Sequence, residues 1–447
     1  MSDPSMGPDA FDPASLPVVD PEAPDAAPVA KPRPSRPYGV LGRVLGHSYT
    51  PTIYRELADM DYRRFEREPE ELAAFLSGDE WEGVNVTIPY KQAVLAHLDE
   101  WTPAAARMGN VNTITRLADG RLRGDNTDYH GFRTLAESLG IDYRGRRALV
   151  LGHGGAGSTC AMVLEDLGAS VTFVGRSPRS GALVYNQLRA HAADAQVIVN
   201  ATPVGMWPAC PASPVNLKLF PALEGVLDVV YNPARTGLML QAERLGVPHE
   251  SGLLMLVAQA AQAVERYVGA RVPADEVRSL TDRLSATEQN VVLIGMPGSG
   301  KTRVGENLAR LMGRPHVDID HELEARLGAS CAQYIAEHGE DAFRRRETEV
   351  LSDVCGRSGQ VVSCGGGVVT QEENYRLLHQ NGLICMIDRP LTELARKNRP
   401  ITQRDGVEKL ARRRMPLYRS WADVTVRSTE SAGHTARNLR KLLPEML

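Results

Sequence analysis

Short apolar runs alternate with helical stretches along most of the chain. Five of these runs are predicted to be buried strands: residues 38–42, 147–151, 170–174, 197–200 and 225–230. Apolar residues at helical spacing predict helices at 159–168 and 253–268. Because short buried strands that alternate with helices form parallel sheets with both faces covered, this pattern predicts an α/β fold.

The pattern starts again after a polar stretch at 285–289. A strand at 290–294 enters a glycine-rich loop, a helix follows at 303–312, and a second strand follows at 316–319. An earlier glycine-rich loop, at 152–157, also stands between a predicted strand and a predicted helix. Two separate strand–loop–helix units predict two nucleotide-binding domains in one chain.

The first 37 residues differ from the rest of the chain. Proline, alanine and aspartate dominate them, and large apolar residues are few. Such a segment buries too little surface to offset the entropy lost on ordering. Residues 1–37 are therefore predicted to be a disordered leader, either an inert tail or a docking or targeting segment.

Composition narrows the function classes. The 447 residues give room for about three domains of about 150 residues each. A formal net charge of -4 supplies no electrostatic reason to bind nucleic acid or an anionic membrane. The six cysteines lack paired spacing, so neither a disulfide framework nor a zinc site is expected. No apolar run reaches the length of about 18 residues that a membrane helix requires. We expect a cytoplasmic protein that acts on small molecules, and the oligomeric state stays open.

The second glycine-rich loop, at 295–302, reads GMPGSGKT and fits the phosphate-binding pattern GxxxxGK[ST]. In this pattern backbone N–H groups surround phosphate oxygens, Lys301 reaches the β and γ phosphates of ATP, and the Thr302 hydroxyl can bind Mg²⁺. The residues predicted to bind ATP here are Gly298, Ser299, Gly300, Lys301 and Thr302.

Five further motifs follow this loop in order. They are Asp318-Ile319-Asp320, Phe343-Arg344-Arg345-Arg346-Glu347, Gly365-Gly366-Gly367, Arg399-Pro400 and Arg414-Met415-Pro416-Leu417-Tyr418. With them, residues 290–447 resemble shikimate kinase over essentially the whole domain. The residue types suit a small hydroxylated carboxylic acid, since Arg344 and Arg414 offer planar bidentate donors to a carboxylate.

The kinase resemblance implies a role for each matched residue. Shikimate would be bound by Asp320, Arg344, Gly366, Gly367 and Arg414. Lys301 and Asp320 would act in catalysis, and Asp318 would join Thr302 at Mg²⁺. Arg399 would close over ATP; the lid around it is short, which leaves the family's second lid arginine unassigned.

The first glycine-rich loop reads GHGGAG and predicts a dinucleotide site at Gly152, Gly154, Gly155 and Ala156, although it departs from GxGxxG. The end of the next strand lacks the acidic residue that would bind the ribose 2′-hydroxyl of NAD. Arg176, Ser177 and Arg179 stand there instead. Because these side chains suit a 2′-phosphate, the sequence favours NADP(H) over NAD.

Six motifs of the first half also occur in order. They are GHSYTP at 46–51, NVTIPYK at 85–91, NVNT at 110–113, NATPVGM at 200–206, DVVY at 228–231 and MLVAQA at 255–260. Together they resemble shikimate dehydrogenase from residue 38 to about residue 270. Reduction of a ketone needs a charge or a proton source at its oxygen; Lys91 can supply it and Asp128 can orient it.

The dehydrogenase resemblance implies the remaining contacts. Ser48 and Thr50 would bind the substrate carboxylate. The ring hydroxyls would contact Thr87, Asn112, Tyr231 and Gln259, and the nicotinamide would lie along Val229 and Gly252. Thr50 stands where the family has a second serine, which leaves a preference for quinate over shikimate open.

The sequence thus predicts an α/β chain with a shikimate-dehydrogenase-like substrate domain, a Rossmann NADP domain and a P-loop kinase domain with a parallel sheet. The predicted domains are a substrate domain at 38–128 completed by 251–284, an NADP domain at 129–250, a linker at 285–289 and a kinase domain at 290–447. The leading hypothesis is an enzyme that reduces 3-dehydroshikimate with NADPH and phosphorylates the shikimate with ATP and Mg²⁺. The alternatives are a quinate/shikimate dehydrogenase, or a non-catalytic ligand sensor, fused to the kinase.

Overall fold

The computed structural model describes residues 11–22, 36–45, 50–178, 181–191, 193–394, 406–428 and 431–443. The chain forms two compact units. The first consists of Met1–Ala201, Ala222–Val229 and Gly252–Thr281, and the second of Thr202–Pro221, Val230–Ser251 and Asp282–Leu447. The predicted NADP segment 129–250 is therefore divided between the two units.

The first sheet of the first unit belongs to the predicted substrate domain. Its strands are β1 (Tyr38–Gly42), β2 (Tyr62–Glu66), β3 (Gly83–Val86), β4 (Glu100–Trp101), β5 (Thr113–Arg116) and β6 (Leu122–Asp125). Their order is β2-β1-β3-β5-β6-β4, with β5 antiparallel to both of its neighbours. The helices of this region are α1 (Thr50–Ala58), α2 (Leu72–Ser77), α3 (Pro103–Met108) and α4 (Asp128–Glu137).

The predicted disordered leader contains an ordered part. Residues Pro13–Ser15 form a 3-10 helix, and Leu16 is buried in the apolar core of the first sheet. The Trp101 N–H donates to the Pro17 carbonyl at 3.0 Å, and the Val19 N–H donates to the Trp101 carbonyl at 2.9 Å. One buried leucine and two backbone bonds thus order residues 11–22, contrary to the prediction; residues 1–10 and 23–35 lie outside the described part of the chain.

The second sheet has parallel strands throughout the part that lies in the first unit. These strands are β7 (Arg147–Leu151), β8 (Ser170–Gly175), β9 (Ala182–Val184), β10 (Val197–Asn200) and β11 (Gly225–Asp228), in the order β11-β10-β7-β8-β9. The helices of this region are α5 (Gly155–Asp166) and α6 (Leu188–His191). Helix α8 (Gly252–Val268), later in the chain, packs against α1, α4 and β5 of the predicted substrate domain. Helix α5 starts four residues before its predicted start because the glycine-rich loop leads directly into it.

The second unit is built around a fully parallel sheet. Its strands are β13 (Asn290–Ile294), β14 (His316–Asp318), β15 (Val361–Ser363), β16 (Gly382–Asp388) and β17 (Val424–Arg427), in the order β14-β15-β13-β16-β17. Its helices are α7 (Gly237–Leu245), α10 (Lys301–Met312), α11 (Ile319–Leu327), α12 (Cys331–His338), α13 (Glu340–Cys355), α14 (Glu372–His379), α15 (Val407–Trp421) and α16 (Ala432–Leu442). The short strand β12 (His249–Glu250) also lies here. The α/β prediction is confirmed.

The predicted linker at 285–289 is not a separate joint. Helix α9 (Ala274–Glu288) runs through it, and β13 begins two residues later. The polar side chains of this stretch are those of an exposed helix end, which a composition argument cannot distinguish from a loop. No helix within the described ranges is both long and apolar enough to span a bilayer.

Candidate active sites

Lys91 and Asp128 form an ion pair in the first unit. Lys91 follows strand β3, and Asp128 is the first residue of helix α4. The Lys91 Nζ donates to Asp128 Oδ2 at 2.6 Å, and the side chains are 32% and 25% exposed. The pair is therefore fixed by a direct bond and is still accessible to a small molecule.

A hydrogen-bonded network of amide and hydroxyl groups lies next to this pair. The Asn112 Nδ2 donates to Thr127 Oγ1 at 3.1 Å, and the Thr127 N–H donates to Asn112 Oδ1 at 2.8 Å. The Thr127 hydroxyl also donates to Gln259 Oε1 at 3.3 Å. The structure thus brings the predicted substrate residues Asn112 and Gln259 together through Thr127, the residue directly before Asp128.

The network continues into the core through residues that the sequence analysis did not single out. The Thr113 hydroxyl donates to Asn112 Oδ1 at 3.0 Å, and Asn85 Nδ2 donates to Thr113 Oγ1 at 3.1 Å. The hydroxyls of Tyr62 and Tyr267 both donate to Asn85 Oδ1, at 2.8 and 3.1 Å. Burial raises the pKa of both tyrosines, so they remain neutral donors. These bonds fix the orientation of the Asn112 amide.

The other predicted substrate residues are less closely connected. Thr87 is half-buried at the end of β3, where its N–H donates to the Leu41 carbonyl at 3.0 Å. Thr50 is the first residue of α1. Ser48 lies outside the described residues. Tyr231 belongs to the second unit, and burial raises the pKa of its hydroxyl.

The predicted dinucleotide loop lies between β7 and α5. Gly154 is the N-cap of α5, and Gly155 and Ala156 are exposed in its first turn. A helix of 12 residues that opens on exposed N–H groups suits a pyrophosphate. The ring of His153, the second residue of this loop, stacks on Phe173 with centroids 4.4 Å apart, so it packs against strand β8.

Arg176 and Ser177 are exposed directly after β8, where the sequence analysis predicts that they bind the 2′-phosphate of NADP(H). Arg179 lies outside the described residues. At the other end of the predicted cofactor site, the backbones of Val229 and Gly252 are in close contact. A Cβ at position 252 would be 2.1 Å from the Val229 carbonyl oxygen, so this approach requires glycine. These residues fit a bound NADP(H).

In the second unit, the phosphate loop connects β13 to α10. Gly300 caps α10 with φ of 91°, and Gly298 also has positive φ. The Lys301 Nζ donates to the carbonyls of Gly295 and Met296 at 2.9 and 3.1 Å, and the residue is only 7% exposed. Ser299 is buried, and its hydroxyl has no hydrogen-bond partner. The loop thus directs a lysine and a hydroxyl toward its own concave side.

Thr302 and Asp318 lie together, as the sequence predicted for a magnesium site. The Thr302 hydroxyl donates to Asp318 Oδ2 at 2.7 Å. The other carboxylate oxygen of Asp318 accepts from the Asp320 N–H at 3.0 Å and caps α11, which is why β14 ends at Asp318. Within the described ranges no cluster of three or more His, Cys, Asp or Glu could bind a metal. The two side-chain oxygens of Thr302 and Asp318 fit Mg²⁺, which is usually bound by one or two protein oxygens together with phosphates and water.

The Arg344–Glu347 pair forms the buried wall of this site. Arg344 Nη1 donates to Glu347 Oε2 at 2.5 Å, and the side chains are 6% and 0% exposed. Burial raises the pKa of Glu347. Burial also disfavours the charged form of Arg344, but the carboxylates of Glu347 and Glu340 outweigh this effect, so the pKa of Arg344 lies above its ordinary value. A Cβ at position 367 would lie 1.9 Å from Arg344 Nη2, so Gly367 makes room for the guanidinium.

The remaining predicted kinase residues meet at the triple glycine. Arg414 Nη1 donates to the Gly366 carbonyl at 3.0 Å, the Tyr418 hydroxyl donates to the same oxygen, and burial lowers the pKa of Arg414. The Asp320 carboxylate lies against Gly365, and Gly366 lies against Pro297 of the phosphate loop. Arg399 falls outside the described residues. Two guanidinium groups and a carboxylate are thus gathered beside the phosphate loop.

Known proteins are similar to each part of the chain. A protein named shikimate dehydrogenase (NADP(+)) from Symbiobacterium thermophilum is 36% identical over 284 residues, which are 57% of this chain and 96% of the relative. The chain belongs to the shikimate dehydrogenase family. The dehydrogenase of that name from Thermus thermophilus is 36% identical over 245 residues, 52% of this chain and 92% of its own. The shikimate dehydrogenase substrate binding domain model matches residues 40–114 of this family member.

A solved structure has the same dehydrogenase fold. It is a chorismate mutase/shikimate 5-dehydrogenase fusion protein from Clostridium acetobutylicum, with a TM-score of 0.53 and 30% identity over 56% of this chain and 97% of that chain. The C-terminal part of this dehydrogenase-family chain matches a second family model, shikimate kinase, over residues 297–444. We refer below to residues 38–284 as the dehydrogenase half and to residues 290–447 as the kinase half.

Three further residues of the two sites lie within or next to the predicted motifs, and their positions in the sequence could have indicated them. Thr127 directly precedes Asp128, and Tyr418 ends the motif that contains Arg414. Asn85 is the first residue of the segment that ends at Lys91. Tyr62 and Tyr267 have no such signal, because they reach Asn85 only through the fold.

Proposed function

We propose that the two halves catalyse successive reactions of the shikimate pathway. The dehydrogenase half reduces 3-dehydroshikimate to shikimate with NADPH, and the kinase half transfers the γ-phosphoryl group of ATP to the shikimate hydroxyl. The observation that carries the proposal is that one chain contains both the Lys91–Asp128 pair and a phosphate loop beside Arg344 and Arg414. Relatives named for NADP(+) and the exposed Arg176 support the choice of cofactor.

In the dehydrogenase half, Val229 and Gly252 would hold the nicotinamide, which would supply a hydride to the ketone carbon. The Lys91 ammonium is positioned to stabilise the negative charge that develops on the ketone oxygen and to provide its proton. Asp128 keeps the ammonium in place through the 2.6 Å bond. Asn112 and Gln259, fixed through Thr127, orient the ring hydroxyls so that the ketone faces Lys91.

In the kinase half, Arg344 and Arg414 bind the carboxylate of shikimate, and Asp320 accepts a hydrogen bond from the hydroxyl to be phosphorylated. Lys301 exchanges its bonds to the loop carbonyls for bonds to the β and γ phosphates. Mg²⁺ neutralises phosphate charge, and Thr302 and Asp318 would hold it. The product of the first reaction is thereby the substrate of the second.

A coupled assay with the full chain tests the proposal. The reaction contains 3-dehydroshikimate, NADPH, ATP and Mg²⁺, and the expected product is shikimate 3-phosphate, with equal amounts of NADP⁺ and ADP formed. Quinate with NAD serves as the control for the quinate alternative and should react much more slowly. NADPH binding without oxidation would support the sensor alternative and contradict the proposed reductase.

A further inference from the structure

The hydrogen bonds around Asn85 have a fixed direction, because a side-chain amide donates from one end and accepts at the other. The Asn85 Oδ1 accepts from the hydroxyls of Tyr62 and Tyr267 at 2.8 and 3.1 Å. Both lone pairs of this oxygen are thereby used. The Asn85 Nδ2 donates to Thr113 Oγ1 at 3.1 Å and, in a long bond of 3.4 Å, to the Asn112 carbonyl. The two phenols therefore determine which end of the Asn85 amide faces Thr113.

Thr113 passes this direction on to the amide of Asn112. Because the Thr113 hydroxyl accepts from Asn85, its own proton is left for another acceptor, and it donates to Asn112 Oδ1 at 3.0 Å. That oxygen also accepts from the Thr127 N–H at 2.8 Å, so both of its lone pairs are used. The Asn112 Nδ2 is then the donating end, and it donates to Thr127 Oγ1 at 3.1 Å.

The chain of bonds ends at Gln259 of α8. The Thr127 hydroxyl lies 3.2 Å from Asn112 Oδ1 and 3.3 Å from Gln259 Oε1. Since Asn112 Oδ1 already accepts two bonds, the Thr127 proton goes to Gln259. The Gln259 Nε2 donates to the Leu256 carbonyl at 2.9 Å. Among the described residues, the amide nitrogens of Asn112 and Gln259 have one acceptor each, so each keeps a second N–H for a ring hydroxyl of the substrate.

We propose that Tyr62 and Tyr267 are positioning residues of the dehydrogenase: their two O–H donors set the direction of the whole chain, so that N–H groups rather than carbonyl oxygens face the ring hydroxyls of the substrate. This inference rests on the proposed function. It assigns the donor pattern of the site to two residues that belong to none of the motifs of the sequence.

The two phenols act redundantly. With one phenol left, Asn85 Oδ1 still has a donor and the amide keeps its orientation. With neither, this buried oxygen has no partner, which is unfavourable, and the amide turns to accept the proton of Thr113. Thr113 can then no longer donate to Asn112 Oδ1, and the direction of the chain is lost.

Phenylalanine removes these donors without disturbing the rings, which are held by stacking. The ring of Tyr62 stacks on that of Tyr54 with centroids 4.1 Å apart, and the ring of Tyr267 lies 5.1 Å from that of Tyr38. Tyr38 also supplies the matched control, because within the described part of the chain its buried hydroxyl has no hydrogen-bond partner.

The test measures shikimate oxidation with NADP⁺ by the full chain, in the absence of ATP. Tyr62→Phe and Tyr267→Phe should each leave the KM for shikimate within about twofold of wild type. The double variant should raise this KM about tenfold with kcat within about threefold, because the lost contacts are made in both the ground state and the transition state. Its Kd for NADP⁺ should stay within about twofold, which reports that the same unit is folded. Tyr38→Phe should change none of these constants.

Thr113→Val breaks the chain at its next member and serves if the double variant does not fold. It should raise the KM about tenfold by itself, whereas Thr113→Ser, which keeps the hydroxyl, should stay within about twofold of wild type. Adding both phenylalanines to Thr113→Val should raise the KM by less than a further twofold, because the direction is already lost.

Three results would overturn the proposal. They are an unchanged KM in the double variant, losses from the two single variants that simply multiply, and a full further loss when the phenylalanines are added to Thr113→Val. A wild-type chain that does not reduce NADP⁺ with shikimate would instead refute the proposed function.

Discussion

The two halves place a lysine at each candidate site in opposite ways. Lys91 is paired with a carboxylate from another element, Asp128, and about a third of its side chain is exposed. Lys301 is buried and bonded to two backbone carbonyls of its own loop, those of Gly295 and Met296. The first ammonium donates to a carboxylate of another element, whereas the second donates to backbone carbonyls of its own loop.

This difference agrees with the charge that each lysine would meet. A ketone is neutral and offers the ammonium no ionic partner, so a lysine that faces it needs a fixed carboxylate to keep it oriented. ATP brings several negative charges, so a lysine held by carbonyls can exchange these weak partners for phosphate oxygens. A carboxylate in place before the substrate binds is therefore expected at the dehydrogenase site, whereas the kinase lysine must be able to exchange its loop carbonyls for phosphate oxygens.

The largest effect is expected from Lys301→Ala. Because this lysine stabilises phosphate charge that increases in the transition state, kinase kcat/KM should fall about a thousandfold, ~4 kcal/mol. NADPH oxidation by the same chain should stay within about twofold of wild type. ADP release and NADPH absorbance measure the two rates, and Lys409→Ala, an exposed lysine of α15, is the control. A comparable loss of both activities would contradict the assignment of Lys301 to one site.

Lys91→Ala should show the reverse pattern with a smaller effect. Dehydrogenase kcat/KM is expected to fall about a hundredfold, ~3 kcal/mol, because the developing oxyanion loses its charged partner. Phosphorylation of added shikimate should be unaffected. Arg64→Ala, which removes an exposed cation from β2, is the control. A dehydrogenase that keeps its rate without Lys91 would exclude this lysine from the reaction.

Asp128→Asn separates the role of the partner from that of the lysine. The amide oxygen can still accept from Lys91 but carries no charge, so kcat should fall only about tenfold, ~1.4 kcal/mol. Steady-state rates at saturating shikimate and NADP⁺ measure this loss. If the loss equals that of Lys91→Ala, the carboxylate itself handles the proton and does more than orient the ammonium.

The smallest effect is expected from the contact between Glu243 and His379, which joins the two halves. The question is whether this contact stabilises the folded chain. The hydrogen bond from His379 lowers the pKa of Glu243. The contact therefore stabilises the fold fully at pH values above the ordinary carboxyl pKa, and this stabilisation is lost as the pH falls through the lowered pKa of Glu243. Glu243 is 41% exposed, and solvent screening limits its contribution to about 1 kcal/mol or less. Glu243→Gln should lower the free energy of unfolding by that amount at pH 7. Denaturant titrations should show the difference disappear in acid; a difference that persists would assign it to packing.

Sequence reasoning succeeded where local pattern determines structure. The strands at 38–42, 147–151, 197–200 and 290–294 have their predicted bounds, because short apolar runs between turns leave few alternatives. The phosphate loop, Asp318 and the triple glycine came together because each lies at or after a strand end of one parallel sheet, whereas Arg344 and Arg414 reach them from helices. The contact between Ala234 and Asn381 could not be predicted, since a backbone donor and a single amide leave no periodic signal. The same is true of Leu16, one apolar residue in a stretch whose composition indicates disorder.

Residues 234 and 235 of the dehydrogenase half donate hydrogen bonds to residues 379–381 of the kinase half, and these bonds bear on how such a fusion evolves. In a free-standing kinase, the Gln380 carbonyl and the Asn381 amide oxygen would face water or another partner; in this chain they accept from the dehydrogenase half. Exchange of either half for a homologue would leave these groups mismatched unless the replacement offers the same donors. The two halves of the chain therefore constrain each other's sequence at this surface.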